Sequence, residues 1–220
     1  MIFIIEPNNL ARYRHLVEEM FRLRARVFRD RLGWDVTVRD GMERDRYDDC
    51  GPVYIVYADA AGREVKGSLR LLPTTGPTLL ADTFADTLPD AALLSAPTIW
   101  ECTRFCINED ALGVRGAEEA MFASAELFAA LGEVAISAGI ESILGNFDAA
   151  MLRLYRRIGC EVEVLGSTRK YGRPVYLGTF AVSEAILKRI KARWFASPAQ
   201  ASQRPAARAL ATEDSMLLPA

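Results

Sequence analysis

The chain has 220 residues, half of them hydrophobic and a quarter charged, which suits one globular domain with a substantial core. No unbroken apolar run approaches the ~18 residues of a membrane span, and MIFIIEPNN reads as a first strand rather than a leader. The four cysteines (Cys50, Cys102, Cys106, Cys160) form no C-x-x-C pair and His15 is the only histidine. This excludes the common zinc sites and makes Ser-His-Asp or Cys-His catalysis improbable. A reduced, cytoplasmic enzyme without metal or cofactor is expected, with a carboxylate or a main-chain group as any general base.

The net charge of −2 is unevenly spread: residues 1–150 hold 15 basic and 24 acidic side chains, residues 151–193 hold 10 and 3. The basic segment is either a solvated face or a dock for an acidic partner. The slightly acidic total disfavours nucleic acid.

Between Asn9 and Leu32 the residues Leu10, Tyr13, Val17, Met20, Phe21, Val27 and Phe28 recur at three- and four-residue steps, the pattern of one amphipathic helix. Arg24 sits in that apolar stripe, where a guanidinium must find a buried acid or snorkel to the rim. Residues 33–52 form a polar stretch with aromatic anchors, the composition of a functional loop. Val53–Tyr57 and Val65–Leu72 read as a hairpin, residues 73–97 as a proline-punctuated connection, and Thr98–Ile107 as a buried strand. A long helix over Ala117–Ala138 follows. Then come a strand (Glu141–Phe147), a helix (Ala149–Ile158), strands at Cys160–Leu165 and Val175–Val182, and a helix (Ser183–Phe195). This order predicts a single domain, residues 1–195, as a three-layer α-β-α sandwich with a mixed sheet, and a loosely ordered tail, 196–220.

Three places carry charge that packing does not ask for. Asp45 and Asp48 share a face only on a helical turn. Arg70 stands mid-strand between leucines. Glu101 and Arg104, three apart on one strand, point to opposite faces unless a β-bulge adds a residue between them.

Arg24, Phe28, Trp34, Asp45, Asp48, Arg70, Phe84, Glu101 and Arg104 stand in the motifs RLRARVF (22–28), LGWDV (32–36), ERDRYDD (43–49), GSLRLLPTTGPTLL (67–80) and WECTRF (100–105). Over residues 1–182 the chain resembles the acyl-homoserine-lactone synthases, the LuxI-type autoinducer synthases of quorum sensing. The resemblance implies a fold like the GCN5-related N-acetyltransferases and two substrates. One is S-adenosylmethionine; the other is a fatty acyl thioester, on acyl carrier protein in most members and on coenzyme A in some. The amine takes the acyl group, and the carboxylate then closes the lactone and expels methylthioadenosine. Under this reading Glu101, Arg104, Asp45, Asp48 and Arg24 are catalytic, with Glu101 as base, and Phe28, Trp34, Arg70, Phe84 and Phe105 hold S-adenosylmethionine.

The acyl pocket is expected between the long helix and the last strands, at Met121, Phe122, Ala125, Leu144, Phe147 and Met151. Family members that prefer 3-oxo chains often place a threonine near the end of the 140–147 strand; here Asn146-Phe147-Asp148 stands there, and the resemblance is to a branch that handles long chains, unsubstituted or 3-hydroxylated. The basic segment is expected to dock acyl carrier protein on Arg153, Arg156 and Arg157. The alternative is an acetyl-CoA-dependent N-acetyltransferase of the same fold, which would use the partial glycine turn at 111–117 for pyrophosphate; a non-catalytic sensor of such ligands is a third class.

Overall fold

In Val53–Ala58 (VYIVYA) alternate side chains enter different cores, as the period of a strand requires. Val53 and Ile55 join one hydrophobic cluster, Tyr54, Val56 and Ala58 another. The computed structural model describes residues 1–88, 94–111 and 116–196. Its seven-stranded sheet divides these two cores.

In chain order the elements are β1 (Ile2–Ile5), α1 (Arg14–Arg24), the short β2 (Val38–Arg39) and β3 (Met42–Glu43), β4 (Val53–Ala58), β5 (Val65–Pro73) and α2 (Leu79–Asp82). They continue with β6 (Ile99–Ile107), α3 (Gly116–Ser137), β7 (Ser142–Phe147), α4 (Ala149–Ile158), β8 (Glu163–Thr168), β9 (Val175–Ala181) and α5 (Glu184–Phe195). The sheet order is β1-β4-β5-β6-β7-β9-β8, antiparallel except where β6 meets β7. Helix α1 packs its Leu16, Val17, Met20 and Phe21 on one face; α3, α4 and α5 cover the other. The three-layer mixed α/β reading therefore holds. The tail 197–220 and the core of the glycine turn, 112–115, lie outside the described residues.

By length and composition α3 is apolar enough to cross a membrane, but 56% of its apolar window is buried inside the protein. Ala123, Ala125, Leu127 and Ala129 are almost wholly enclosed against the sheet, so α3 is the core helix of this domain.

Two departures from regularity position the site. The pattern read as one helix over 9–32 is instead a 3-10 turn, the α-helix α1 and a π-helical segment, Ala25–Arg31. Such a widened turn is common at functional sites; here it follows Arg24 and carries Phe28. In β6, Ser68 pairs with Cys106 but Arg70 with Thr103, so Arg104 and Phe105 together face Leu69. This is the bulge the Glu101–Arg104 spacing called for, and Arg104 adopts a left-handed φ of 54°. For a non-glycine residue that conformation costs about 1–3 kcal/mol and clusters at active sites.

The β6–β7 ladder is short. It joins Ile99–Glu101 to Ser142–Leu144, and no further pairs extend it toward Ile107 and Phe147.

Candidate active site

Arg24 is 1% exposed, and its guanidinium is satisfied by two acids. Its terminal nitrogens donate to both oxygens of Asp48 at 2.8 and 2.9 Å, and its Nε to Glu43 at 2.5 Å. Arg70, on β5, donates to Asp45 at 2.5 and 3.0 Å, to Asp48 at 2.8 Å and to Thr103 at 3.0 Å. Arg104 completes the set, 2.7 Å from Asp45 and 3.1 Å from Glu43. Three arginines and three carboxylates thus form one charge-balanced network, in which bidentate pairing fixes both distance and plane.

Local sequence explains each position. Asp45 and Asp48 cap the 3-10 turn Arg46–Asp49: Asp45 accepts from Tyr47 N–H, and Asp48 from Asp45 N–H. The helical-turn option is the one taken, and it points both carboxylates at the sheet. Glu43 is delivered by the β2–β3 hairpin, whose Asp40-Gly41 pair takes the left-handed φ values of 52° and 74° that a tight two-residue turn requires.

Burial alone would push the Asp48 carboxyl up; the hydrogen bonds and charge of Arg24, then the charge of Arg70, hold it well below the usual range. Burial would likewise depress Arg24, but Asp48 and Glu43 raise it further above its ordinary value. Tyr54 donates to Asp48 at 2.8 Å, and burial, then the Asp48 charge, raises its phenol.

Only part of this network reaches the cleft. The side chains of Arg24, Arg70, Asp48 and Glu43 are 0–1% exposed, against 11% for Arg104 and 17% for Asp45. Arg24 and Asp48, expected to be catalytic, and Arg70, expected to hold substrate, lie beneath the surface, while Arg104 and Asp45 reach the cleft. Phe28 lies between the Arg104 guanidinium, 5.4 Å from its ring centre, and the half-exposed Trp34, stacked at 5.1 Å. Phe84 packs with Tyr47, Leu72 and Leu79 on the same side of the sheet.

Glu101 also faces this side, 1% exposed. Its two oxygens accept from the backbone N–H groups of Leu79 and Leu80 at 2.9 and 2.7 Å. Burial pushes its carboxyl up to about 7, opposed by those two amides and by the charges of Arg70 and Arg104. A carboxylate poised near neutrality suits a general base.

Two groups of expected residues are not where the sequence put them. Phe105 stacks on Phe128 at 5.0 Å, on the far face from Phe28 and Trp34, because the bulge is spent on Arg104 and alternation resumes after it. None of the six expected acyl-pocket residues lines the cavity between α3, α5 and the last strands. Met121, Phe122, Ala125, Phe147 and Met151 belong to the main core, while Leu144 points through the sheet to Leu80 and Leu177. A cavity does lie between α3, α5 and the last strands, but Ile143 and Gly145 line it in place of Leu144, with Cys102, Phe128, Leu131, Tyr155, Phe180 and Leu187. Strand alternation makes that one-residue difference a change of face.

The sequence reading also passed over Glu43, Tyr54 and Thr103. Glu43 stands in the quoted ERDRYDD motif; the Asp40-Gly41 turn was the signal that could have found it. Arg153, Arg156 and Arg157 are exposed along α4, and no ion pair engages them among the described residues. Lys170, Arg173, Arg189 and Lys191 of the same basic segment pair with acids.

The fold is a mixed α/β sandwich, with a bulged strand beside a diverging neighbour and a buried ionic network under an aromatic rim. The comparisons narrow the class. The sequence matches the autoinducer synthase family over residues 8–190. An acyl-homoserine-lactone synthase of Rhizobium etli is 41% identical over 207 residues, 94% of this chain and 96% of that one. The structure of the acyl-homoserine-lactone synthase LasI is 28% identical with a TM-score of 0.73, over 90% of this chain and 95% of that one. A coenzyme A-dependent acyl-homoserine-lactone synthase, BjaI, solved with S-adenosylmethionine and isopentyl-CoA, is 28% identical with a TM-score of 0.75 over 88% of each chain. The chain belongs to the autoinducer synthases, the acyltransferases that make acyl-homoserine lactones. The acetyl-CoA N-acetyltransferase alternative gains no support from these matches.

Proposed function

We propose that the cleft over Arg104, Asp45, Phe28 and Trp34 binds S-adenosylmethionine and that Glu101 activates its amine toward an acyl thioester. The observation that carries this reading is the position of Glu101: a buried carboxylate with a raised pKa on the face of the sheet that bears the ionic network, at the point where β6 and β7 part. Arg104 suits the methionyl carboxylate, Asp45 the ammonium and sulfonium charges, and the Phe28–Trp34 stack the adenine ring.

Glu101, enclosed by α2, takes the amine proton through an intervening water. The amine nitrogen forms a bond to the thioester carbonyl carbon, the C–S bond breaks, and the thiol leaves with a proton. The carboxylate oxygen then attacks the γ-carbon, breaking its bond to sulfur and releasing neutral methylthioadenosine with the lactone. Incubation with S-adenosylmethionine and an acyl thioester should yield free thiol, methylthioadenosine and lactone in equal amounts. Thiol release without methylthioadenosine would contradict the lactone-forming step.

The acyl chain enters the cavity between α3, α5 and β7, whose wall begins at Cys102, the residue after Glu101. The donor is acyl carrier protein rather than coenzyme A, docked on Arg153, Arg156 and Arg157. Their exposure without competing ion pairs supports this, since complementary charge governs such encounters. Reversing Arg156 and Arg157 to Glu should raise KM for the acyl carrier protein thioester and flatten its salt dependence, while leaving kcat unchanged. Unaltered carrier kinetics would make the patch a solvated face. Four free cysteines support a reducing, cytoplasmic setting.

A further inference from the structure

Asn146 Oδ1, on β7, is the one buried side-chain polar atom among the described residues that has no hydrogen-bond partner. Thr87 fixes which end of the amide is left over. Its hydroxyl donates its single proton to the Phe84 carbonyl at 2.6 Å, so towards Asn146 it can only accept. Asn146 therefore turns Nδ2 to Thr87, at 3.2 Å, and keeps Oδ1 for another donor. Buried polar groups are nearly always partnered, and an exception calls for a reason.

The place of Asn146 in the sheet says which donor comes near. Leu144 pairs with Glu101 and packs with Leu80, on the face that bears the ionic network. Strand alternation returns Asn146 to that face. It stands two residues beyond Leu144, level with Thr103, whose hydroxyl accepts from Arg70. The ladder has ended by then, so Thr103 and Asn146 occupy opposite banks of the opening between β6 and β7. A methionyl group with its carboxylate on Arg104 and its amine near Glu101 spans this stretch of β6, because the amine sits on the carbon next to the carboxylate. The β5 bank offers the Arg70 guanidinium, a donor. The β7 bank offers an acceptor, and an ammonium has three hydrogens to donate.

We propose that Asn146 Oδ1 accepts a hydrogen bond from the amine of S-adenosylmethionine and aims its lone pair at the thioester carbon. The proposal rests on reading the cleft as the S-adenosylmethionine site. Of the three ammonium hydrogens, one passes through water to Glu101 and one departs with the thiol when the C–S bond breaks. The third stays on the new amide, and Asn146 holds it from ammonium to product. A neutral amide oxygen suits that task, because it does not take the proton from the nucleophile it orients.

The experiment measures binding of three ligands to the full chain. They are S-adenosylmethionine, its deaminated analogue with hydrogen in place of the amine, and methylthioadenosine, which carries neither amine nor carboxylate. Asn146→Leu should weaken S-adenosylmethionine by about tenfold to a hundredfold and leave the other two unchanged. Asn146→Ala, too small to clash, should repeat the pattern. Equal weakening of all three marks a packing defect, and no change in any marks a buried water on Oδ1; either overturns the proposal. A raised KM for the acyl thioester with S-adenosylmethionine binding intact gives Oδ1 to the donor's arm and overturns it too. Arg104→Lys tests the underlying reading separately, since it keeps the charge beside Asp45 and Glu43 but loses the fork. It should weaken both carboxylate-bearing ligands and spare methylthioadenosine. If it does so while Asn146→Leu is silent, only the Asn146 assignment falls. If it weakens neither, the cleft reading falls, and the proposal with it.

Discussion

Glu101→Gln should lower kcat by about 10²–10⁴-fold, the usual contribution of a positioned general base. The variant keeps the shape and one acceptor for the Leu79 and Leu80 amides, so a thermal melt close to wild type is the control that isolates basicity. Because burial raises the Glu101 carboxyl to about 7, wild-type kcat/KM should climb as pH passes through about 7 and the carboxylate forms. That ascending limb should vanish in the Gln variant. The same shift acts on stability with the opposite sign: the fold favours the protonated acid, so its contribution is full below the ordinary value of 4.5 and is withdrawn as pH rises to about 7. Catalysis and stability therefore pull apart at this residue.

Asp48→Ala should be the most damaging change to the fold within the site, at about 3–5 kcal/mol, read as a fall in the denaturant midpoint. Asp48 accepts from Arg24, Arg70, Tyr54 and the Asp45 backbone, so its removal leaves two buried guanidiniums short of charge at once. Activity should vanish as well, because Asp45 and Arg104 lose the network that holds them at the cleft. The pH dependence follows from the depressed carboxyl. Its stabilising contribution is present above the ordinary carboxylate value and is lost only as pH falls through its much lower folded value. The stability margin of wild type over Asp48→Asn should therefore be constant above the ordinary carboxylate value and shrink as pH falls below it.

How much of this was readable beforehand depended on whether a residue's role was set by local pattern. Arg24 announced itself because a charge in a helical stripe needs a partner, and the odd spacing of Glu101 and Arg104 required a bulge if both served one site. The strands of the hairpin and the long core helix follow from period and composition alone. Glu43 was missed because its burial depends on a two-residue hairpin folding back under Arg24, a tertiary fact that only the Asp40-Gly41 turn hinted at. The lining of the cavity between α3, α5 and the last strands was misread for a different reason. With period-two alternation, choosing Leu144 instead of Ile143 and Gly145 places the lining on the wrong side of the sheet. Nor could spacing reveal that Arg24, Asp48 and Arg70 lie beneath the surface while Arg104 and Asp45 reach the cleft.

The arrangement of Glu101 and Arg104 around one substrate is tested most directly by a structure of the protein with S-adenosylmethionine bound. The adenine should lie on the Phe28–Trp34 stack, the methionyl carboxylate on Arg104, and the amine within one water bridge of Glu101. An amine facing any other carboxylate, with Glu101 still sealed behind Leu79 and Leu80 and no water between them, would contradict it.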